Sequence, residues 1–375
     1  MKRPHLLLVY PPRHDAATRF QTLIDGLSRT YRGTILTVSD VPADFTSGGF
    51  RVLSVPWKVG KIYPALARML RAGTQIIRDA QRRGDPVELV STYDPLRTGL
   101  LSAGLSAFGR TKFVVELNGD YRTPVNYIGD DGKPNELKRR AATAMQSFVL
   151  SRAHGIKALH EGLVDGVDTE GKVVRCFHSL VNLSPFEDLG ETREVLFVGF
   201  PFYLKGVDLL IEAFKRVSDA HPNWRLKILG FYPIMTELNA HMAAHPKISH
   251  HRPVEWVEMP EHIGRCGILV LPSRSEAMGR VLLEAAAAGK PRIGSRAGGI
   301  PRVIEHERDG LLFDSEDVDT LTRHLDRLMR DSALRKRFGE AARARVQAEF
   351  SAERYFEHAQ DLYNHVLGIG HAPRR

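Results

Sequence analysis

Short runs of Val, Ile and Leu alternate with longer amphipathic stretches along nearly the whole of this 375-residue sequence. The apolar runs predict strands at 5–9, 33–38, 51–55, 87–91, 112–117, 155–159, 173–177, 195–199, 224–229, 267–271, 291–294 and 310–313. The amphipathic stretches predict helices at 16–30, 61–83, 96–108, 134–153, 206–220, 233–244, 279–289, 316–330, 332–349 and 351–367. Continuous apolar strands that alternate with helices are typical of parallel sheets covered on both faces.

The chain is too long for one ordinary hydrophobic core. A polar, proline-containing stretch, NLSPFEDLGETRE at 182–194, is the expected linker. We therefore expect an N-terminal domain at 1–183, a second domain at 193–350, and a C-terminal helix and tail at 351–375 that pack back towards the first domain. The expected fold class is α/β, with two Rossmann-like doubly wound domains facing each other across a cleft. Such sheets bind ligands beyond the carboxyl ends of their strands.

The composition excludes several classes of protein. No apolar run reaches the length of a membrane span, and the basic start MKRPHLLLVY is interpreted as a buried strand rather than a signal peptide. Cys176 and Cys266 are the two cysteines, and they are far apart without a Cys-x-x-Cys spacing. Neither a disulfide framework nor a zinc site is therefore predicted, and a cytoplasmic location is expected.

The net charge of +9 belongs to the first half of the chain, because residues 186–375 hold equal numbers of basic and acidic residues. In segment 61–83, Ile62, Leu66, Leu70 and Ile76-Ile77 are expected along one side, with arginines elsewhere. This segment and 133–153 could lie on anionic lipid. They could equally be core-facing helices with basic outer faces. Nucleic-acid binding is not favoured, because the interleaved aromatic and basic pattern and helix-turn-helix signals are missing.

The most informative stretch is SRSEAMGRVLLEAAAAGKP at 273–291, which follows the predicted strand 267–271. A helix that starts after such a strand presents unpaired amides and a partial positive charge to a ligand. Gly279 lets the ligand approach the backbone closely. This geometry favours a phosphate, although neither a P-loop nor a G-x-G-x-x-G motif is present.

Glu284 lies inside the apolar part of that helix. An unpaired carboxylate there is costly, so it binds either sugar hydroxyls, as acidic residues do in dinucleotide folds, or a buried Arg or Lys. Lys205 follows the strand that ends at Gly199 and stands before Gly206, an arrangement suited to a phosphate or to plain solvation. The pair Gly298-Gly299 offers either backbone amides for an anion or an ordinary turn.

Several ordered motifs together resemble the family-four retaining glycosyltransferases of the GT-B fold: LPSRSEAMGRVLLEAAAAGKP with Glu276 and Glu284, SRAGGIP, DGLLF, and VG…KGVDLLIEAF. The resemblance covers about residues 195–350 closely and the first half in outline. It implies a metal-independent enzyme that moves a sugar from a nucleotide-sugar to a glycan or lipid-linked acceptor. Bacterial surface polysaccharide or lipopolysaccharide assembly is the implied setting, in the cytoplasm or on the inner face of its membrane.

The resemblance also implies roles for individual residues. Catalytic roles fall to Glu276, which faces the donor sugar, and to Lys205, Asn118 and Asp120. The implied nucleotide-sugar contacts are Gly199, Lys205, Met278, Gly279, Arg280, Val281, Glu284, Gly298 and Gly299. Asp317 and Asp319 have metal-like spacing but are interpreted as helix-capping and surface residues, with Ser315 as the N-cap.

Three departures from the family pattern bear on activity. Phe200 replaces the usual Arg after Gly199, and Arg280 or Arg274 could replace the missing cation. Asn118 replaces the usual His, so it could hydrogen-bond a sugar hydroxyl but could not accept a proton. A stiff loop carrying Arg13 replaces the usual glycine-rich loop. The alternative function is a catalytically impaired nucleotide-sugar-binding module that partners an active enzyme.

Overall fold

The computed structural model describes residues 2–12, 20–57, 62–127, 135–230 and 245–369. The chain folds into two compact units. Unit 1 comprises 1–122, 137–180 and 352–375, and unit 2 comprises 123–136 and 181–351. The predicted helix 233–244 and Arg13 lie outside the described residues.

Unit 1 contains a sheet of eight described strands, in the order β3-β4-β2-β1-β5-β6-β7-β8. Its strands are β1 (His5–Val9), β2 (Arg32–Ser39), β3 (Ala43–Ser47), β4 (Phe50–Pro56), β5 (Leu89–Thr92), β6 (Lys112–Leu117), β7 (Gly155–Ala158) and β8 (Val173–Cys176). Its helices include α1 (Gln21–Leu27), α2 (Ile62–Arg82), α3 (Arg97–Gly109) and α4 (Glu136–Arg152). All neighbouring pairs are parallel except β3 with β4.

The edge strand β3 has no counterpart in the predicted strands. Its sequence, ADFTS, is polar and at most half-buried, so it lacks the continuous apolar run that marks a central parallel strand. The central strand β1 shows the opposite pattern, because every residue of His5–Val9 is buried.

The C-terminal helix, α12 (Ala352–Leu367), lies in unit 1 although unit 2 precedes it in the chain. Tyr355, Leu362 and Tyr363 are buried in the same core cluster as Leu6 and Ile35 of the sheet. The hydroxyl of Tyr363 donates to Ser91 Oγ at 3.2 Å. The last helix is therefore part of the hydrophobic core of unit 1.

Unit 2 contains a parallel sheet of six described strands, in the order β11-β10-β9-β12-β13-β14. Its strands are β9 (Glu194–Gly199), β10 (Arg225–Gly230), β11 (Ile248–His251), β12 (Ile268–Leu271), β13 (Arg292–Ser295) and β14 (Leu311–Phe313). Its helices include α5 (Phe202–Lys205), α6 (Val207–Val217), α7 (Met259–Arg265), α8 (Arg280–Ala287), α9 (Ile300–Val303), α10 (Val318–Arg330) and α11 (Ser332–Glu349). Both β11 and α7 are missing from the predicted elements, since ISHH and MPEHIGR carry few apolar residues.

The order of strands in unit 2 explains where a ligand can bind. The chain moves outward from β9 through β10 to β11, then returns to β12 on the other side of β9. The loops after β9 and β12 therefore diverge at a topological switch point, where doubly wound sheets bind their ligands. The predicted α/β class with parallel sheets in two domains is confirmed.

Candidate functional site

Two loops of unit 2 meet at this switch point because β9 and β12 are hydrogen-bonded neighbours. The loop after β9 leads to Lys205 and Gly206, and the loop after β12 passes Pro272. A Cβ at Gly206 would lie 2.0 Å from the Pro272 carbonyl oxygen, and Gly206 has a φ of +68°. Glycine is therefore required where the two loops touch, and it holds Lys205 beside the second loop.

The carboxylate of Glu276 contacts Lys205 directly. Lys205 Nζ donates to Glu276 Oε2 at 2.6 Å, and the side chains are only 18% and 13% exposed. The other oxygen, Oε1, accepts from the backbone amides of Ala277 at 3.0 Å and Met278 at 3.4 Å. The structure thus brings Lys205 and Glu276 together, although 71 residues separate them in the sequence.

Gly298 and Gly299 pack against the backbone of the Glu276 loop. A Cβ would lie 1.7 Å from the Glu276 carbonyl oxygen at Gly298, and 2.2 Å from the Ala277 carbonyl oxygen at Gly299. The amide of Gly299 donates to the Glu276 carbonyl at 3.1 Å. The expectation that Gly299 offers its amide to an anion is therefore corrected, because a backbone carbonyl already accepts from that amide. The pair shapes the loop that carries Glu276.

Helix α8 begins directly after this loop. Gly279, at φ +81°, is the N-cap and provides no side-chain hydrogen bond to the first turn. Met278 is buried, Val281 is half-buried and Arg280 is exposed. The Leu282 amide donates to the Gly279 carbonyl at 2.9 Å. No side chain of Gly279 caps the turn, which leaves the amides of Arg280 and Val281 and the positive end of the helix dipole to an anion.

Glu284 is buried in α8, with only 8% of its surface exposed. Burial raises the pKa of its carboxyl group above the usual range, and the nearby Arg280 opposes that rise. Among the described residues, no ion pair and no side-chain hydrogen bond involves the Glu284 carboxylate. The sequence left two kinds of partner open for Glu284, sugar hydroxyls or a buried Arg or Lys. The described structure contains no internal Arg or Lys partner. Such a carboxylate is suited to accepting hydrogen bonds from ligand hydroxyls.

We refer to Lys205, Glu276, Gly279, Arg280 and Glu284 as the switch-point site. Gly199, at the end of β9, lies next to it, and a Cβ there would lie 3.1 Å from Lys205 Cγ. The site therefore combines two cations, an uncapped helix start and two carboxylates in one unit.

Arg274 is not available to replace the missing family arginine. Its guanidinium forms ion pairs with Asp208 at 2.7 Å and Glu316 at 2.6 Å. It also stacks over Tyr203, with 4.2 Å between the guanidinium carbon and the ring centre. Arg274 therefore joins α6 to the loop before α10 and has no role as a phosphate contact. Arg280 is the remaining candidate of the two.

The structure also corrects the expectation that Asn118 of unit 1 binds a sugar hydroxyl. Its Nδ2 donates to the Tyr93 carbonyl at 2.8 Å and to Glu116 Oε2 at 3.2 Å. Its Oδ1 accepts from Lys157 Nζ and from Ser179 Oγ, both at 3.3 Å. Both donors and both acceptor positions of the amide are used, so Asn118 links strands of unit 1 and is not free to bind a sugar hydroxyl.

The partners of Asn118 form a buried ion pair that sequence reasoning missed. Lys157 Nζ lies 2.7 Å from Glu116 Oε2, and the side chains are 2% and 6% exposed. The residues are paired across the parallel strands β6 and β7. The available signal was a charged residue flanked by apolar ones, Glu116 in KFVVEL and Lys157 in GIKA.

Asp120 lies beyond β6, and its Oδ1 accepts from the Arg122 backbone amide at 3.0 Å and from Arg122 Nε at 3.1 Å. Arg122 also donates to the carbonyl of Gly162 at 2.8 Å. Asp120 therefore helps fix the loop after β6 to the segment after β7.

The Asp317-Val318-Asp319 segment is confirmed as a helix-capping and surface feature. Asp317 is the N-cap of α10, since its carboxylate accepts from the Thr320 amide at 2.9 Å. Asp319 forms an ion pair with Arg216 at 2.6 Å. Ser315 is not the N-cap, because the helix begins two residues later than expected. Over the described ranges, no cluster of three or more His, Cys, Asp or Glu could hold a metal ion.

Unit 1 exposes apolar and basic side chains together on α2 and α3. We define the α2–α3 patch as Tyr63, Leu70, Leu100, Phe108, Arg78 and Arg97. Tyr63 is 72% exposed and Phe108 44% exposed. Arg97 and Arg78 lie over these rings, at 5.7 Å and 5.2 Å. Leu70 was expected on the same side of α2 as Ile76 and Ile77, but it is exposed whereas those two residues are buried. Within the described segments, none of the helices combines the length and apolarity that crossing a membrane requires.

The Glycosyl transferases group 1 family matches residues 185–345. An exopolysaccharide phosphotransferase of Streptomyces coelicolor is 34% identical over 176 residues, which are 46% of this chain and 18% of that protein. The N-acetyl-alpha-D-glucosaminyl L-malate synthase of Bacillus anthracis is 25% identical over 69% of each chain. A D-inositol 3-phosphate glycosyltransferase of Arthrobacter is 31% identical over 48% of this chain and 46% of that protein. The matches thus span less than half of two of these three relatives.

Solved structures extend the likeness to the whole chain. The sucrose-phosphate synthase of Thermosynechococcus elongatus superposes with a TM-score of 0.77 at 18% identity, covering 98% of this chain and 100% of that one. Anabaena HepE in complex with UDP-glucose gives a TM-score of 0.68 at 14% identity, covering 95% and 99%. At these identities the likeness concerns the fold alone. The chain therefore has the GT-B fold, and residues 185–345 of its second unit match the Glycosyl transferases group 1 family.

Proposed function

We propose that this chain is a retaining glycosyltransferase that uses a nucleoside diphosphate sugar as its donor. The observation that carries the proposal is the switch-point site. There the Lys205–Glu276 pair, at 2.6 Å, lies beside the helix that contains Glu284. The cation and the uncapped helix start match the diphosphate of such a donor, the buried Glu284 carboxylate matches its ribose, and the Glu276 carboxylate matches its sugar. Anabaena HepE, which has the same fold, is known in complex with UDP-glucose.

Each residue of the site then has a role. The first amides of α8, Lys205 and Arg280 bind the diphosphate, because anions are stabilised by helix starts and by cations. The Glu284 carboxylate accepts from the ribose hydroxyls, and Glu276 accepts from hydroxyls of the donor sugar. Gly199, Gly206 and Gly298 let the loops approach closely enough to place these groups.

The proposed chemistry proceeds on one face of the donor sugar. The acceptor oxygen forms a bond to the anomeric carbon as the bond from that carbon to the phosphate oxygen breaks. The acceptor's hydroxyl proton moves to the leaving phosphate oxygen, so no protein base is needed where Asn118 replaces a histidine. The growing charge on the diphosphate is stabilised by Lys205, Arg280 and the α8 amides, and these groups make the reaction independent of a metal ion.

The acceptor is proposed to be a glycan or lipid-linked molecule of bacterial surface polysaccharide or lipopolysaccharide assembly. The α2–α3 patch supports a lipid-linked acceptor, because exposed rings beside arginines suit the surface of an anionic membrane. The protein would then work in the cytoplasm, on the inner face of the membrane. Two similar proteins, an exopolysaccharide phosphotransferase and a lipopolysaccharide galactosyltransferase, have names that fit this setting.

Thermal-shift screening against UDP, GDP, ADP and their hexose conjugates tests the donor. A ligand that binds only the folded protein raises the melting temperature. The best donor is then incubated with lipid-linked acceptors, and NMR of the anomeric proton reports whether configuration is retained. Activity in EDTA is expected to remain. If the donor binds but is neither transferred nor hydrolysed, the result would favour the catalytically impaired binding module instead.

A further inference from the structure

The carboxylate of Glu276 occupies a position that would suit a bound phosphate. It accepts from one ammonium group, Lys205 Nζ, and from two backbone amides, those of Ala277 and Met278. An ammonium group with adjacent backbone amides is the set of donors that binds phosphate oxygens in proteins. A diphosphate that approaches Lys205 must therefore share these donors with a carboxylate or displace it.

The carboxylate cannot easily move away from this position. The Gly299 amide holds the Glu276 carbonyl at 3.1 Å, and the Gly298 backbone leaves no space for even a Cβ against the same carbonyl. The backbone of Glu276 is thus fixed from one side while both carboxylate oxygens are hydrogen-bonded on the other. In this position the negative charge lies 2.6 Å from Lys205 Nζ, the cation assigned to the diphosphate.

We propose that Glu276 acts as a built-in competitor that distinguishes the sugar-bearing donor from the free nucleoside diphosphate. This inference rests on the proposed function. The free diphosphate carries about one more negative charge than its sugar ester and has no sugar hydroxyls. An ionised carboxylate only accepts hydrogen bonds, so it repels the bare terminal phosphate, whereas the hydroxyls of a donor sugar can donate to it. Glu276 thereby favours donor binding and release of the spent nucleotide.

Other described carboxylates nearby do not have this position. Asp208 and Glu316 are both paired with Arg274, and Glu284 lies further along α8. Glu316 therefore provides a matched control, because it loses the same charge on substitution to glutamine but does not contact Lys205.

The test compares Glu276→Gln with Glu316→Gln and the unchanged protein. Isothermal titration calorimetry measures the Kd of UDP, GDP and ADP, and of the hexose conjugate of each, for all three proteins. Gln keeps an oxygen that can accept from the Ala277 and Met278 amides, so the change removes mainly charge. We expect Glu276→Gln to bind the free diphosphate about tenfold more tightly. The sugar conjugate should change little, because the loss of charged hydrogen bonds from the sugar hydroxyls offsets the relief of repulsion at the diphosphate. Glu316→Gln should leave both values unchanged.

The decisive measurement is the ratio of the Kd for the free diphosphate to the Kd for its sugar conjugate, because a general loss of structure would weaken the binding of both ligands. Equal or weaker binding of the free diphosphate by Glu276→Gln would overturn the inference and leave the proposed function intact. A tightening shared by Glu316→Gln would also overturn it, since the effect would then come from net charge. Absence of binding by all three proteins to every probe would overturn the proposed function and this inference together.

Discussion

Glu284 illustrates how one residue can lower stability and still be useful. It is 8% exposed, and its carboxylate is without an ion pair to the described residues. A buried charge without a partner disfavours folding. The protein therefore carries a destabilising group at the point where, in the proposed function, the ribose of the donor would satisfy it.

Glu284→Gln is expected to raise the melting temperature of the ligand-free protein and to weaken nucleotide binding. Burial raises the folded-state pKa of this carboxyl, so the folded state binds the proton more tightly than the unfolded state. The stability cost is then fully present above the folded-state pKa and disappears below about pH 4. The loss of charged hydrogen bonds should weaken nucleotide binding about tenfold or more.

Thermal unfolding at pH 7 and pH 4, followed by titration of the bound nucleotide, checks both parts. Glu349→Gln, on the exposed end of α11, is a suitable control for the loss of one carboxylate. A Glu284→Gln protein that is less stable at pH 7 would show that the carboxylate has a stabilising partner.

The residue scale also shows what the sequence could not provide. The motif around 273–291 was enough to predict the strand, loop and helix that place Glu276 and Glu284. The hydrogen-bond partners that make Arg274 and Asn118 unavailable to a ligand could not be predicted, because they are distant in sequence, as Glu316 and Ser179 are. Whether a side chain already uses all its hydrogen-bonding groups depends on its neighbours in the folded protein, so no local sequence pattern reports it.

At the scale of elements, the loop from β12 to α8 takes its shape from the glycines that follow β13. We expect Gly298→Ala to displace this loop, because its Cβ would lie 1.7 Å from the Glu276 carbonyl oxygen. The left-handed conformation of an alanine costs about 1 kcal/mol by itself, and the steric conflict adds to it. Nucleotide binding should fall strongly, as measured by calorimetry.

Gly289→Ala is the matched control for Gly298→Ala. Gly289 also has a left-handed backbone, at φ +67°, but its Cβ would have 3.9 Å to the nearest backbone atom. It should lose only about 1 kcal/mol of stability and keep its nucleotide affinity. Equal binding by the two variants would contradict the assigned role of Gly298.

The start of α10 gives a prediction about pH. Hydrogen bonds from the Thr320 side chain and backbone lower the pKa of Asp317. A lowered folded-state pKa stabilises the protein above the unfolded pKa, and this stabilisation is lost as the pH falls through the folded value. Asp317→Ala should therefore cost about 1 kcal/mol at pH 7, and the difference from the unchanged protein should shrink below about pH 4.

Chemical denaturation over this pH range measures the effect. Asp319→Ala is the control, since Asp319 is 75% exposed and forms only a surface ion pair, worth well under about 1 kcal/mol. A cost at Asp317 that did not vary with pH would mean that the carboxylate charge is not what stabilises the helix start.

Elements with continuous apolar runs were predicted well, and half-exposed ones were not. The central strands β1, β9 and β12 agree with the predicted strands to within a residue or so. The polar strands β3 and β11 were missed because their burial alternates or is partial. Strand periodicity reports burial, so an edge strand that buries little gives little signal.

At the scale of the molecule, the net charge and the α2–α3 patch concern where the protein works. The excess of basic residues lies in the first half of the chain, and α3 carries no acidic residue. The proposed membrane contact therefore combines ring insertion with attraction to anionic lipid.

Replacing Tyr63 and Phe108 with Ser should reduce co-sedimentation with vesicles of anionic phospholipid about tenfold or more, because both rings are exposed and apolar burial drives such binding. Neutral phosphatidylcholine vesicles should bind either protein weakly. Val257→Ser in unit 2, at a residue 77% exposed, is the control and should bind like the unchanged protein. Equal binding of anionic and neutral vesicles would remove the membrane from the proposed function.

The place of α12 has a consequence for how the polypeptide is made. Tyr355, Leu362 and Tyr363 complete the core of unit 1, yet a ribosome synthesises them after all of unit 2. Unit 2 can fold while the last helix is still in the ribosomal exit tunnel, but unit 1 cannot complete its core until that helix has emerged. The first half to be translated is therefore the last to finish folding, and until then its unfinished core is a natural target for chaperones.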